Sequence, residues 1–430
     1  MTIKEIIENH EGDRARYSRL NNYYIGKTEI TKRVAKNDKP NNKLVSGFPS
    51  TVIDTITGYL MGRPIAYGDS EAPDLLEKIT EIFEYNDEQE INTEHVKQAS
   101  IKGRSYEVLY TDEEANLRIA QVNAENVILL YNNKIIPEIV QAIVFYHDED
   151  VIVATSYEYD DGRVMERMYE IEDNEERLIE ERVSLFDQIP IVEISPNSER
   201  MGLFEKAIPL IDAYEKAISD TANDLEYFTD AYLWLPGFGG FDPENEEDLK
   251  KFTNMREQRV FLPSDDGAKN IPSFVTKSIN DTVSENHKER LSMEIHKLVN
   301  VPDLSDEYFG GQQSGVSLAY KLWGIENVCS AFERRFKKAI QKRIELICEH
   351  LNLRRGGQYS WRNITIMFTR NTPDNLVEAV QAVEKLRGTV SNETLLGQLP
   401  FIDNPTAERK RLANENAGTV DLYAEAGDEE

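Results

Sequence analysis
The sequence predicts an α+β chain built from several units, on three observations. Apolar residues step at helical spacing toward both ends, they alternate between residues 104 and 195, and one helical run extends over 317–355. At about 100–200 residues per domain, the 430-residue length allows two to four units.

Residues 1–35 carry Ile3, Ile6, Ile7, Leu20, Tyr23 and Tyr24 at helical spacing, and the Asn- and Pro-rich run 36–49 reads as a loop. A helix is expected over 50–61, stopped by Gly62-Arg63-Pro64, then helices through LLEKITEIFEYN and over 88–101. At Gly103 the period changes. Segment 104–195 reads as antiparallel strands joined by polar turns, with Asp160-Asp161-Gly162 as a hairpin turn. Helical spacing returns from 203, where Ile211, Tyr214, Ile218, Leu225 and Phe228 share a stripe and Asp212, Glu215, Asp220 and Asp224 fill much of the rest. An insert rich in Gly and Pro follows, with RVFLPS and SFVTKSI as strands, then a helix over 282–300. Helix, small α/β module, helix is the pattern of a long hairpin with a module at its tip. A loop at 301–316 precedes the long helix, whose Leu318, Leu322, Ile325, Phe332, Phe336, Ile340 and Ile344 step by threes and fours. A strand NITIMFT, helices near 374–387, 391–397 and 405–416, and an acidic tail at 417–430 complete the chain.

Charge narrows function. The chain has 49 Lys+Arg against 78 Asp+Glu, a net charge of −29. So acidic a protein is unsuited to holding nucleic acid by neutralising its phosphates, a mode that needs clustered cations. Hydrophobic residues at 40% suffice for cores, while 30% charged residues imply a large solvated surface. No window reaches the ~18 apolar residues of a membrane span, and Cys329 and Cys348 lie on one helix with no partner spacing, as reduced thiols would. A soluble cytoplasmic chain is expected.

No catalytic motif survives inspection. Gly26-Lys27-Thr28 lacks the leading glycine and strand of a phosphate loop, and Gly311-Gln-Gln-Ser314-Gly315 lacks nucleophile-elbow spacing. The six histidines show no HxxxH or HExxH, and no cofactor or metal is called for. Asp303, Asp306 and Glu307 in one tract are what a metal-dependent nuclease would use, the alternative reading, but no second acidic motif supports them. One basic cluster stands out: Arg334, Arg335, Lys338 and Lys342 share the long helix. It reads as a solvated face paired with neighbouring acids, or as a contact for DNA or a partner.

Six segments together carry a resemblance: RYSRLNNYYIGKTEI, NNKLVSGFPSTVIDTITGYLMGRPIAY, ASIKGRSYEVLYTDE, IPIVEISPNS, PLIDAYEKAISDTANDLEYFTDAYLWLPG and SGVSLAYKLWGIE. In order and content the chain resembles, from about 14 to 415, the siphophage-type portal proteins of tailed double-stranded-DNA bacteriophages. The resemblance implies a portal-type fold: wing 1–202, stem helices 203–232 and 281–300, clip 233–280, tunnel loop 301–316, spine helix and returning wing strand 317–371, and a short crown 372–416. It further implies a ring, normally a dodecamer, at one capsid vertex of the virion, assembled in the host cytoplasm, through which double-stranded DNA is packaged and ejected. Expected partners are the terminase large subunit, a head-tail adaptor, scaffold and major capsid protein, with no membrane and no enzymatic activity. Asp303, Ser305, Asp306, Glu307, Gln312 and Gln313 are then the channel loop, and Asp212, Glu215, Asp220 and Asp224 the channel-facing acids of the stem.

Overall fold
The computed structural model describes residues 2–35, 40–69, 73–149, 151–173, 175–228, 281–304, 315–355, 358–371 and 376–397, with short stretches between 232 and 275 and between 399 and 413. Two compact units divide the chain. Met1–Asn21, Thr51–Glu205 and Leu304–Glu430 form the first, and Asn22–Ser50 with Lys206–Asp303 form the second.

The first unit begins with α1 (Ile3–Asn9), set by a capping box in which the Thr2 hydroxyl accepts from the Glu5 N–H and Glu5 accepts from the Thr2 N–H. Helix α2 (Glu11–Tyr24) follows. The helical run expected over 1–35 therefore breaks twice. Its second break falls where Gly26 takes φ +78°, leaving only a 3-10 turn at Glu29–Lys32. Next come α3 (Phe48–Met61), strand β1 (Ala66–Asp69), α4 (Pro73–Tyr85) and α5 (Glu88–Lys102).

The alternating region forms two antiparallel sheets. Strands β2 (Ser105–Thr111), β3 (Leu117–Val122) and β9 (Ile191–Ile194) make one, in the order β3-β2-β9. The other is a meander of β4 (Val127–Tyr131), β5 (Ile139–Asp148), β6 (Val151–Asp160), β7 (Arg163–Glu172) and β8 (Glu175–Val183). Asp161 and Gly162 both take positive φ between paired Asp160 and Arg163, the backbone a two-residue I′ turn demands. Because side chains alternate, strands β4 to β7 bury residues on both faces. Ile143, Phe145, Ala154 and Ile171 pack on Ile3, Ile6 and Ile7 of α1. On the opposite face Ala142, Val144, Tyr157 and Val164 join Tyr106, Val108, Val122 and Ile191. Carboxylates crowd the edge strand β8, exposed along its whole length.

The long helix α8 (Gly315–Arg355) runs 41 residues, with Ile325, Phe332, Phe336, Ile340, Ile344 and Ile347 buried along one stripe. Strand β13 (Ile364–Met367) then returns to pair antiparallel with β1, Ala66 opposite Met367. Helices α9 (Leu376–Leu386) and α10 (Asn392–Leu396) follow.

In the second unit, α6 (Ile208–Phe228) packs against α7 (Asp281–Val299). Phe48 stacks edge-on against both Tyr214 and His296, while Thr221 meets Ser284 at 3.3 Å. Advancing along α6 thus means retreating along α7, so the pair is antiparallel. Three short strands, β10 (Tyr232–Trp234), β11 (Val260–Phe261) and β12 (Ser273–Val275), lie between them in sequence as a sheet ordered β11-β10-β12.

Candidate functional site
The acidic side of α6 meets its own chain. Residues 22–50 belong to the second unit and pack with its helix pair. The reason is polar: this irregular segment needs acceptors for its donors, and α6 supplies them in a row. The Tyr23 hydroxyl donates to Asp212 at 2.7 Å, the Leu44 N–H to the Ser219 hydroxyl at 2.9 Å, and the Asn42 N–H to Asn223 at 2.7 Å. Arg33 pairs with Asp220 at 2.6 Å.

Glu215 corrects the expectation most clearly. It is fully buried, and its carboxylate accepts from the Thr28 hydroxyl and from both the N–H and hydroxyl of Ser46, at 3.0 Å each for Ser46. It therefore faces its own segment rather than a channel. Of the four acids named from sequence, Asp212 is half-buried and bonded, Asp220 is paired, and Asp224 stands exposed. Changing Glu215 to Ala would leave three donors without their acceptor, at a cost of about 2–3 kcal/mol. Faster hydrogen exchange confined to residues 40–47 and 26–30 is the expected signature, and unchanged protection there would contradict it.

The basic residues of α8 separate likewise. Arg334 and Lys338 are exposed, and Arg335 is half-buried. Lys342 turns to its own chain, donating to Gln188 and pairing with Glu345 at 2.8 Å, so it leaves the patch. Asp303 is half-buried, while Ser305, Asp306, Glu307, Gln312 and Gln313 lie outside the described residues.

Sequence reasoning missed the polar centre of the first unit. Arg343, next to Lys342, is fully buried between α5 and β2. Its Nε donates to Glu107 at 2.9 Å, and Nη1 donates to Glu88 and to the Asn92 carbonyl, both at 2.9 Å. His95 spans Ser105 at 2.8 Å and Glu107 at 3.1 Å. Burial would raise the Glu107 carboxyl, but the Arg343 charge and the His95 and Arg343 hydrogen bonds outweigh it and hold it at about 2. Burial lowers His95, so the imidazole is neutral, donating from Nε2 and accepting at Nδ1. Burial raises Glu88 despite Arg343. A signal for Arg343 exists in the sequence: it falls on the buried stripe, three residues after Ile340 and seven after Phe336.

These features describe a scaffold: long helices, a meander, and polar groups spent on holding elements together. Among the described residues no cluster of three metal-ligating side chains occurs. The chain belongs to the SPP1 Gp6-like phage portal protein family, whose profile matches residues 3–421. Among relatives, the portal protein of Bacillus phage SPP1 is 25% identical over 94% of this chain and 83% of its own length. The portal protein of Clostridium phage phiCD119 is 24% identical over 96% and 95%. A chain from the neck of an empty GTA particle is 11% identical, with a TM-score of 0.43 over 83% of this chain and 90% of that one. The role is that of the family, a phage portal channel, and the nuclease alternative finds no support in these relatives.

Proposed function
We propose that about twelve copies close into a ring at one capsid vertex, and that double-stranded DNA enters and leaves the phage head through its centre. The observation that carries this reading is the family match over nearly the entire chain, residues 3–421. The terminase large subunit docks for packaging and a head-tail adaptor afterwards, with scaffold and major capsid protein around the ring. The chain itself performs no catalysis. In this reading α6 and α7 are the stem, 233–280 the clip, 301–316 the tunnel loop, α8 the spine and 372–416 the crown.

Charge supports it. Twelve copies at −29 each would sum to about −350. DNA carries roughly one negative charge per 1.7 Å of axis, so an acidic wall repels it evenly and lets it slide. Asp224, exposed on α6, is the stem acid best suited to that wall. In the loop, Asp303, Asp306 and Glu307 repel phosphate while Gln312 and Gln313 exchange weak hydrogen bonds with it.

Substituting Gln312 and Gln313 by Lys tests the loop. Ring assembly should persist while packaged-genome yield falls, most strongly at low salt, where phosphate attraction is least screened. Normal yield at every ionic strength would remove this loop from the channel.

A further inference from the structure
A cleft of about 440 Å³ opens in the first unit between β1 and the ends of α4 and α5, lined by Pro64, Ile65, Tyr67, Phe83, Glu84 and Glu88 among others. Its apolar wall is aromatic, with Tyr67 and Phe83 rings 4.9 Å apart between centroids. Its polar wall is acidic. Glu84 and Asp87 stand exposed at the lining, while Glu88 is only 2% exposed. The two oxygens of Glu88 differ. Oε1 accepts from Tyr67, Asn92 and Arg343, whereas Oε2 is buried with no hydrogen-bond partner among the described residues. A buried carboxylate oxygen left unmet costs about 1–3 kcal/mol, more when charged. Burial raises the carboxyl despite Arg343, and a second cation entering the cleft would favour its charged form. Aromatic faces beside a carboxylate suit a cation on an apolar stem.

We infer that this cleft receives a cationic side chain from a neighbouring copy of the chain, delivered by the exposed Arg334–Lys338 face of that copy's α8. The inference rests on the ring reading above. Its geometric support is the helix itself. Arg343 faces the cleft side, bonding Glu88 and lying 6.0 Å from the Phe83 ring. Arg334 precedes it by nine residues, which at about 100° each is half a turn away, and Lys338 follows Arg334 one turn on. Neither makes an ion pair among the described residues. One copy therefore carries an acidic socket on one side and exposed cations on the other, the heterologous complementarity that a closed ring requires.

Charge reversal on both sides of this contact tests it, using the full chain and sedimentation velocity across protein concentration. Glu84→Arg and Lys338→Glu, each at an exposed position, should each raise the concentration for half-assembly by about tenfold or more. Combined, they should recover most of that loss, because the pair is restored with its polarity swapped. Single variants that assemble like the wild type, or a double variant no better than either single, would overturn the inference. Should either reversal lower the melting temperature, Glu84→Cys with Lys338→Cys replaces it. A ladder of disulfide-linked copies on a non-reducing gel supports the contact, and monomer bands alone from assembled rings overturn it. A wild-type chain that never assembles fails the ring reading first, and this contact with it.

Discussion
Arg343→Met lowers the stability of the first unit by about 3–5 kcal/mol, because two buried carboxylates lose the cation between them. Among the described residues, Glu107 and Glu88 have no other cationic side chain as a hydrogen-bond partner. Methionine matches the volume but supplies neither the fork nor the charge. Urea unfolding followed by tryptophan fluorescence measures the loss, and a cost under about 1 kcal/mol would mean the network is dispensable. Acid provides a second reading. Glu107 is depressed from 4.5 to about 2, so its stabilisation is full above 4.5 and is lost as pH falls through that interval. His95 is lowered from 6.5, so the unfolded chain gains its proton first and stability begins to fall below pH 6.5. Glu88, raised from 4.5, works the opposite way: its contribution is full below 4.5 and fades as pH rises. The wild type should therefore lose stability from pH 6.5 downward, with Glu88 offsetting part of the loss. Arg343→Met should flatten that profile, since Glu107 no longer holds a depressed value.

Gly103→Ala should cost about 3 kcal/mol or more, from two causes that act together. Gly103 ends α5 at φ +83°, a conformation that costs an L side chain about 1–2 kcal/mol. An added Cβ would also stand 2.2 Å from the Arg200 carbonyl oxygen and 2.8 Å from the Met201 carbonyl carbon. That backbone is itself held, since the Leu203 N–H donates to the Ser100 carbonyl at 2.8 Å. Nothing flexible can yield. Gly162→Ala is the control, because its φ is +80° yet nothing lies within 4 Å of the added carbon. The difference between the two melting shifts isolates the clash, and equal shifts would contradict it.

What the sequence made legible follows from period. The meander of β4 to β8 could be read because runs of strand-forming residues are separated by short polar turns, and the Asp161-Gly162 turn because only such residues take two positive φ values in succession. Helix α8 announced itself through uninterrupted apolar steps of three and four. The losses are equally physical. Strand β1 has four residues and pairs with β13 far along the chain, so neither length nor neighbourhood gave a signal. Glu215 looked like one more acid on a wet face, although Ile211, Glu215 and Ser219 form a buried i, i+4, i+8 row. Its partners, Thr28 and Ser46, belong to a segment with no periodicity to reveal where it packs. Arg343 was hidden among the cations around it, and only Glu107 and Glu88 on other elements distinguish it.

A ring of this chain would carry a channel along its axis. Mass measurement together with electron-microscope images of the purified chain, over a range of salt and protein concentration, decides whether it forms. Particles of many times 49.4 kDa with rotational symmetry and a central hole are expected. A species that stays at 49.4 kDa under every condition, or an oligomer with no opening along its axis, would contradict that expectation.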